Sequence, residues 1–311
     1  KLNHIIENGD ELEIGAVGDF GSSITQGVTI IPAPGNTNLF YIFQLQYSES
    51  PINHGLKYSL VDMSLNAGLG SVIIKNAVLY DKQVTEKMQA VRHGNGRDWW
   101  LIIYAWPDYD LTMDSTLIFK KFLITDLGIQ GPYDQSIGPG ESLTMDRYTQ
   151  GIGQMVFNYS GDIMANIRYN VIDIYTFNRC TGMYSDWIEI KNLPNKRFHG
   201  CSFSIDDAYL FISEVGDSPV IYSYELYDTA NIESTQDTLW NSSASNYAIG
   251  SHLLLSNGDI LISYLKSSPS PTINQNMYLS FIEIEDDFIS VKIKDQELDS
   301  CYITFGLPNM P

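Results

Sequence analysis

The chain has 311 residues, 44% of them hydrophobic, and its 20 Tyr, 13 Phe and 5 Trp weight it toward strands and a sizeable core. Its 18 basic residues stand against 37 acidic ones, a formal net charge of −19 with an isoelectric point near 4.4. Such a surface repels phosphate backbones, which excludes nucleic acid as a partner. No apolar run reaches the ~18 residues of a spanning helix, so direct membrane insertion is not expected.

The chain opens on Lys1 rather than Met, and we expect residues 1–311 to form one domain that is part of a longer polypeptide. Residues 1–26 are turn-rich, with Asn8-Gly9-Asp10 and Gly21-Ser22-Ser23. From there a hairpin unit recurs: two β-rich runs joined by a tight polar turn. Its clearest copy is GCSFSIDDAYLFIS, Gly200 to Ser213, turned at Asp206-Asp207. The other copies turn at Gly35-Asn36, Asn95-Gly96, Ser160-Gly161 and Asn257-Gly258. Each is followed by two further strand-like runs, and helical periodicity is nowhere sustained. A fourfold strand rhythm repeated five times predicts an all-β propeller of four-stranded antiparallel blades. Five copies with ragged ends fit a six- or seven-bladed ring that is incomplete in this chain.

In the first unit the predicted strands are 28–31, 39–45, 58–65 and 72–79. The second unit carries Trp99 and Trp100 on opposite faces of one strand, then Pro107-Asp-Tyr-Asp-Leu-Thr-Met-Asp114 as a longer loop. Asp108, Asp110 and Asp114 on that loop are the candidate ligands of a Ca²⁺ ion, although the glycine and terminal Glu of an EF-hand loop are missing. No other cofactor is expected. Tyr104, Trp106 and Tyr109, beside those carboxylates, are the candidate contact residues for a protein or glycan.

Three cysteines stand at 180, 201 and 301, without the spacing of a zinc site. Cys180 and Cys201 flank one strand and a loop, which makes them the expected disulfide pair and points to an oxidising compartment. Cys201 lies two residues from His199 across Gly200, yet no nucleophile-elbow motif is present. Propeller glycosidases place paired carboxylates on the channel. The segments expected to be innermost (28–31, 89–93, 154–158, 201–204 and 252–255) contain no Asp or Glu.

FYIF (Phe40–Phe43), YSLVDMSLNAGLGSVIIKN (Tyr58–Asn76) and EKMQAVRHGNGRDWWLI (Glu86–Ile102) occur in an order that resembles one known domain. YTFNRCTGMYSDWIEI (Tyr175–Ile190), SNGDILIS (Ser256–Ser263) and the closing GLPNMP (Gly306–Pro311) extend the resemblance over nearly the whole chain. The domain is the propeller-like domain of large secreted Bacteroidota proteins associated with type IX secretion and gliding motility. That resemblance implies a secreted or outer-surface location and supplies no catalytic residues. The reading is a non-enzymatic interaction module that binds a protein or a surface glycan. A propeller glycoside hydrolase or lyase acting on polysaccharide is the alternative.

Overall fold

The computed structural model describes residues 5–13, 24–46, 55–106, 117–138, 150–191, 197–216, 218–242, 247–266, 278–285 and 288–297. Among these, twenty strands form five four-stranded sheets, each a meander of consecutive antiparallel neighbours. The first blade is β1 (Val28–Pro32), β2 (Leu39–Gln46), β3 (Gly55–Asp62) and β4 (Ser71–Tyr80); the second is β5 (Val84–Arg92), β6 (Trp99–Ala105), β7 (Ile118–Thr125) and β8 (Gly128–Gln135). The third is β9 (Met155–Phe157), β10 (Ile163–Arg168), β11 (Val171–Asn178) and β12 (Met183–Lys191). The fourth is β13 (Arg197–Phe203), β14 (Tyr209–Val215), β15 (Val220–Glu225) and β16 (Asp237–Asn241); the fifth is β17 (Tyr247–Leu254), β18 (Ile260–Lys266), β19 (Tyr278–Glu285) and β20 (Phe288–Glu297). The fold is the expected all-β propeller of four-stranded antiparallel blades, five of which fall among the described residues.

The turns that announce the blades take the conformations their residues suit. Gly35, Gly96, Gly161 and Gly258 have φ of 77°, 74°, 75° and 94°, and Asp207 has 60°. Positive φ is cheap for Gly and tolerable for Asp, so each turn fixes the register of the first two strands of its blade.

Two compact units divide the chain. The first gathers the described residues of 1–144 with the hairpin tip 178–183; the second gathers those of 145–177 and 184–307. In the first unit, Ile31, Phe43, Leu45, Leu56, Val84, Met88, Leu101, Ile103 and Phe122 form a core between the faces of the first two blades. Segment 5–13 follows the outer edge of β4, with a parallel bridge from Glu7 to Ser71 and Glu13 paired to Lys57. An edge strand is thereby partly covered, which limits its pairing with other chains.

In the second unit, one core joins the third and fourth blades through Ile167, Ile172, Phe198, Cys201, Phe203 and Ile212. Another joins the fourth and fifth through Phe211, Ile221, Ile249, Ile260 and Ile282. Apolar strands buried on both faces are what this layered packing requires. Asp207, in the turn of the fourth blade, accepts hydrogen bonds from the backbone N–H groups of Tyr159 and Ser160 in the turn of the third, at 2.7 and 3.0 Å. The third blade carries a buried ion pair: Arg168 grips Asp173 with Nε and Nη2, and Trp187 Nε1 donates to the same carboxylate at 2.9 Å. No helix among the described residues is long and apolar enough to cross a membrane.

Candidate active site

The first strands of the blades approach one another, β1 against β5 in the first unit and β9, β13 and β17 in the second. They are therefore the inner edges, and three of them are bulged near their starts. In β5 the pairing jumps from Val84–Ala105 to Met88–Ile103, so that Thr85, Glu86 and Lys87 oppose Tyr104 alone. In β13, His199 and Gly200 oppose Ser213; in β17, Gly250 and Ser251 oppose Ser263. Bulges break the alternation of a strand and re-aim its side chains, which is why they gather at sites.

Two bulges are built alike. The backbone carbonyl of Glu86 accepts the N–H of Gln26 at 3.0 Å, and that of His199 accepts the N–H of Gln154 at 2.9 Å. Each pair joins the start of one inner strand to the bulge of the next, and both glutamines are buried. At Gly200 a Cβ atom would lie 2.1 Å from the Gly250 carbonyl, so only glycine allows the backbones of β13 and β17 to pass this closely.

In the first unit the acid is Glu86, 8% exposed. Its Oε2 accepts the Thr25 hydroxyl at 2.8 Å and the Thr25 N–H at 3.1 Å. Burial raises its carboxyl above the ordinary range, opposed by those two hydrogen bonds and by the charge of neighbouring Lys87. A carboxyl whose pKa burial raises is better suited to serve as a general acid than an ordinary exposed one. Because Val84 pairs with Ala105, Glu86 lies at the end of the sheet where the chain leaves β6 for the 106–117 connection.

In the second unit a histidine is enclosed by hydroxyls. His252 Nδ1 is 3.0 Å from Ser202 Oγ, and its Nε2 bonds Ser213 Oγ. Burial, with the nearby His199, pushes its pKa down to about 3. The ring is therefore neutral at physiological pH, donating to one hydroxyl and accepting from the other. Gln154 fastens this segment: its Oε1 accepts from the N–H groups of Cys201 (3.1 Å) and His252 (2.7 Å), and its Nε2 donates to the His252 carbonyl at 2.9 Å. These hydrogen bonds join the third, fourth and fifth blades, so the cluster is a cross-blade tie.

Several expected site residues are placed differently. Tyr104 and Trp106 are 3% and 2% exposed, so neither is a surface anchor. Tyr104 packs on Phe119 at 4.9 Å between ring centroids and lies under the Lys87 ammonium. Tyr109 and the carboxylates Asp108, Asp110 and Asp114 lie outside the described residues, as does Cys301. Among the described residues no group of three or more His, Cys, Asp and Glu is placed to hold a metal ion. Cys180 and Cys201 form no disulfide. Cys180 is exposed in the β11–β12 turn with its Sγ against Gly94, while Cys201 is fully buried in the core of the fourth blade. The interior strand position that hides Cys201 is what defeats the expected pairing.

The expectation of no acid on an innermost strand fails at Glu86. β5 begins at Val84, five residues before the segment that was expected to be innermost. Polar Thr85-Glu86-Lys87 reads as loop in the sequence, although the β-branched pair Val84-Thr85 ahead of it favours a strand.

The fold and these inner-strand groups define a β-propeller with a buried acid on an inner edge. No family model and no curated protein sequence matches the chain. Among solved structures it is similar to the periplasmic gluconolactonase PpgL of Pseudomonas aeruginosa, with a TM-score of 0.54 and 8% identity over 87% of this chain and 72% of that one. An exo-β-1,3-galactanase from Clostridium thermocellum aligns with a TM-score of 0.49 and 8% identity, over 92% of this chain and 64% of that one. A candidate 6-phosphogluconolactonase from Bacteroides fragilis aligns with a TM-score of 0.47 and 12% identity, over 90% and 86%. At such identities the first likeness speaks for the fold, and the two below 0.5 carry no argument. The non-enzymatic module reading is corrected: its main support was an acid-free inner edge, and Glu86 lies on β5, in a chain that shares the fold of PpgL, itself a gluconolactonase.

Proposed function

We propose that this chain is a propeller hydrolase that cleaves a C–O bond of a carbohydrate substrate, with Glu86 as the general acid. The observation that carries the proposal is the buried Glu86 carboxyl on the inner edge of the second blade, held through one oxygen by two hydrogen bonds from Thr25. A glycosidic oxygen leaves poorly as an alkoxide, and a proton supplied in the transition state removes that barrier; such acids contribute about 10²–10⁴-fold. Water adds to the carbon that loses the oxygen and gives up a proton, which restores the Glu86 acid. A surface polysaccharide is the preferred substrate class. It suits an exported protein, which the resemblance to secreted propeller domains supports.

The likeness to a gluconolactonase favours a second reading, a sugar lactone. There Glu86 would protonate the ring oxygen as the acyl–oxygen bond breaks, so the residue keeps its role. Incubation of the purified chain with a polysaccharide panel and with aldonolactones tests both. Reducing ends released from a polysaccharide support the first; acid release from a lactone above the spontaneous rate supports the second. Neither product, under any condition of pH from 4 to 8, rejects the hydrolase.

A further inference from the structure

Resting on the reading of Glu86 as a general acid, we propose that Thr25 is a positioning residue that fixes Oε1 of Glu86 as the proton-bearing oxygen. Both Thr25 donors, the hydroxyl at 2.8 Å and the N–H at 3.1 Å, converge on Oε2. In a neutral carboxyl the carbonyl oxygen is the better acceptor and the hydroxyl oxygen the donor. Two donors on Oε2 thus make it the carbonyl oxygen and leave the acidic proton on Oε1. The next residue secures the arrangement, because the Gln26 N–H is bonded to the Glu86 carbonyl at 3.0 Å. Thr25 itself is 8% exposed, so its hydroxyl is not freely exchanged for water.

The same two hydrogen bonds favour the charged form and oppose the burial that favours the neutral one. Lys87, on the same strand, is the charged group that acts in the same sense as Thr25. Among the described residues, the elements packed most closely against β5 are β1, β2 and β6, and their titratable side chains are the phenols of Tyr104 and of Tyr41, whose pKa burial raises. Thr25 therefore holds the Glu86 midpoint below the level that burial alone would set.

Thr25→Val removes the hydroxyl and keeps the shape and the N–H, whereas Thr25→Ser keeps the hydroxyl. The Glu86 carboxyl is followed by ¹³C NMR in glutamate-labelled protein and assigned with Glu86→Gln, and folding is checked by calorimetry. We expect the midpoint to rise by about one pH unit in Thr25→Val, the size of one hydrogen bond to a charged group, and to stay at the wild-type value in Thr25→Ser. The alkaline limb of the pH–rate profile moves with it. Thr25→Ala is the second hydroxyl-free variant should the valine protein fail to fold. An unchanged or lowered midpoint in the hydroxyl-free variant overturns the proposal. The titration needs no substrate: a shift with no turnover keeps Thr25 in its role and removes the hydrolase, while turnover with no shift does the reverse.

Discussion

Gln154 and His252 are joined at two points, side-chain amide to backbone amide: Nε2 to the His252 carbonyl at 2.9 Å, and the His252 N–H to Oε1 at 2.7 Å. They are 98 residues apart in sequence and lie on the inner strands of two non-consecutive blades of the second unit. The Cys201 N–H shares the same acceptor, so one buried glutamine satisfies backbone groups of two other blades. Gln154→Leu leaves those three groups without the amide. At about 1–3 kcal/mol for each buried group left unmade, the net loss should be about 3 kcal/mol. Urea denaturation measures it, and a loss under about 0.5 kcal/mol contradicts the tie.

His252 makes the second unit sensitive to acid. Its pKa is about 3 in the fold and about 6.5 when unfolded, so between those values the unfolded chain binds the extra proton. The contribution to stability is fully present above pH ~6.5 and is lost as pH falls toward 3, with a slope approaching about 1.4 kcal/mol per pH unit. His252→Asn should flatten that slope. NMR titration of the wild-type ring should show no protonation between pH 5 and 8.

The Arg168–Asp173 pair in the third blade is almost wholly withdrawn from water, at 1% and 0% side-chain exposure. Removing Arg168 leaves the buried Asp173 carboxylate uncompensated, for a loss of about 3–5 kcal/mol, whereas removing Asp173 leaves Arg168 with Glu189 at 3.2 Å and should cost less. Arg168→Met should lower the melting temperature sharply, and Asp173→Asn by less. The double variant should be less destabilised than the sum of the two. A double-mutant cycle with no coupling contradicts a close pair.

The two described cysteines should differ as thiols. Cys180 is exposed and should react with a thiol reagent in the native protein, whereas buried Cys201 should react only after unfolding. A peptide map under non-reducing conditions should contain no Cys180–Cys201 cross-link.

The blades were legible because their turns are chemically distinctive. Asn95-Gly96 or Asn257-Gly258 between β-rich runs demands a left-handed backbone, and the register of the flanking strands follows. The site was not legible for the opposite reason. Glu86, His199 and Gln154 are polar residues at the starts of inner strands, where a local pattern reads loop. Their partners lie far off in sequence: Gln154 bonds His199, Cys201 and His252, and Glu86 bonds Thr25 from 61 residues away. Lys120 and Lys121, adjacent in an apolar strand, show the same limit. Asp134 neutralises the first at 2.8 Å, and the Gly182 carbonyl and Gln135 Oε1 receive the second, whose pKa burial lowers to about 8. Aromatic residues misled in the other direction: Tyr104 and Trp106 stand beside a polar loop, yet they pack inward.

The most direct test of the hydrolase is the turnover of Glu86→Gln beside wild type on the substrate that the panel identifies, with both melting temperatures measured. Glutamine keeps the shape and an acceptor oxygen for Thr25 but has no acidic proton to give. The account predicts at least about 100-fold lower kcat, with a melting temperature within a few degrees of wild type. Equal kcat in the two proteins would contradict it.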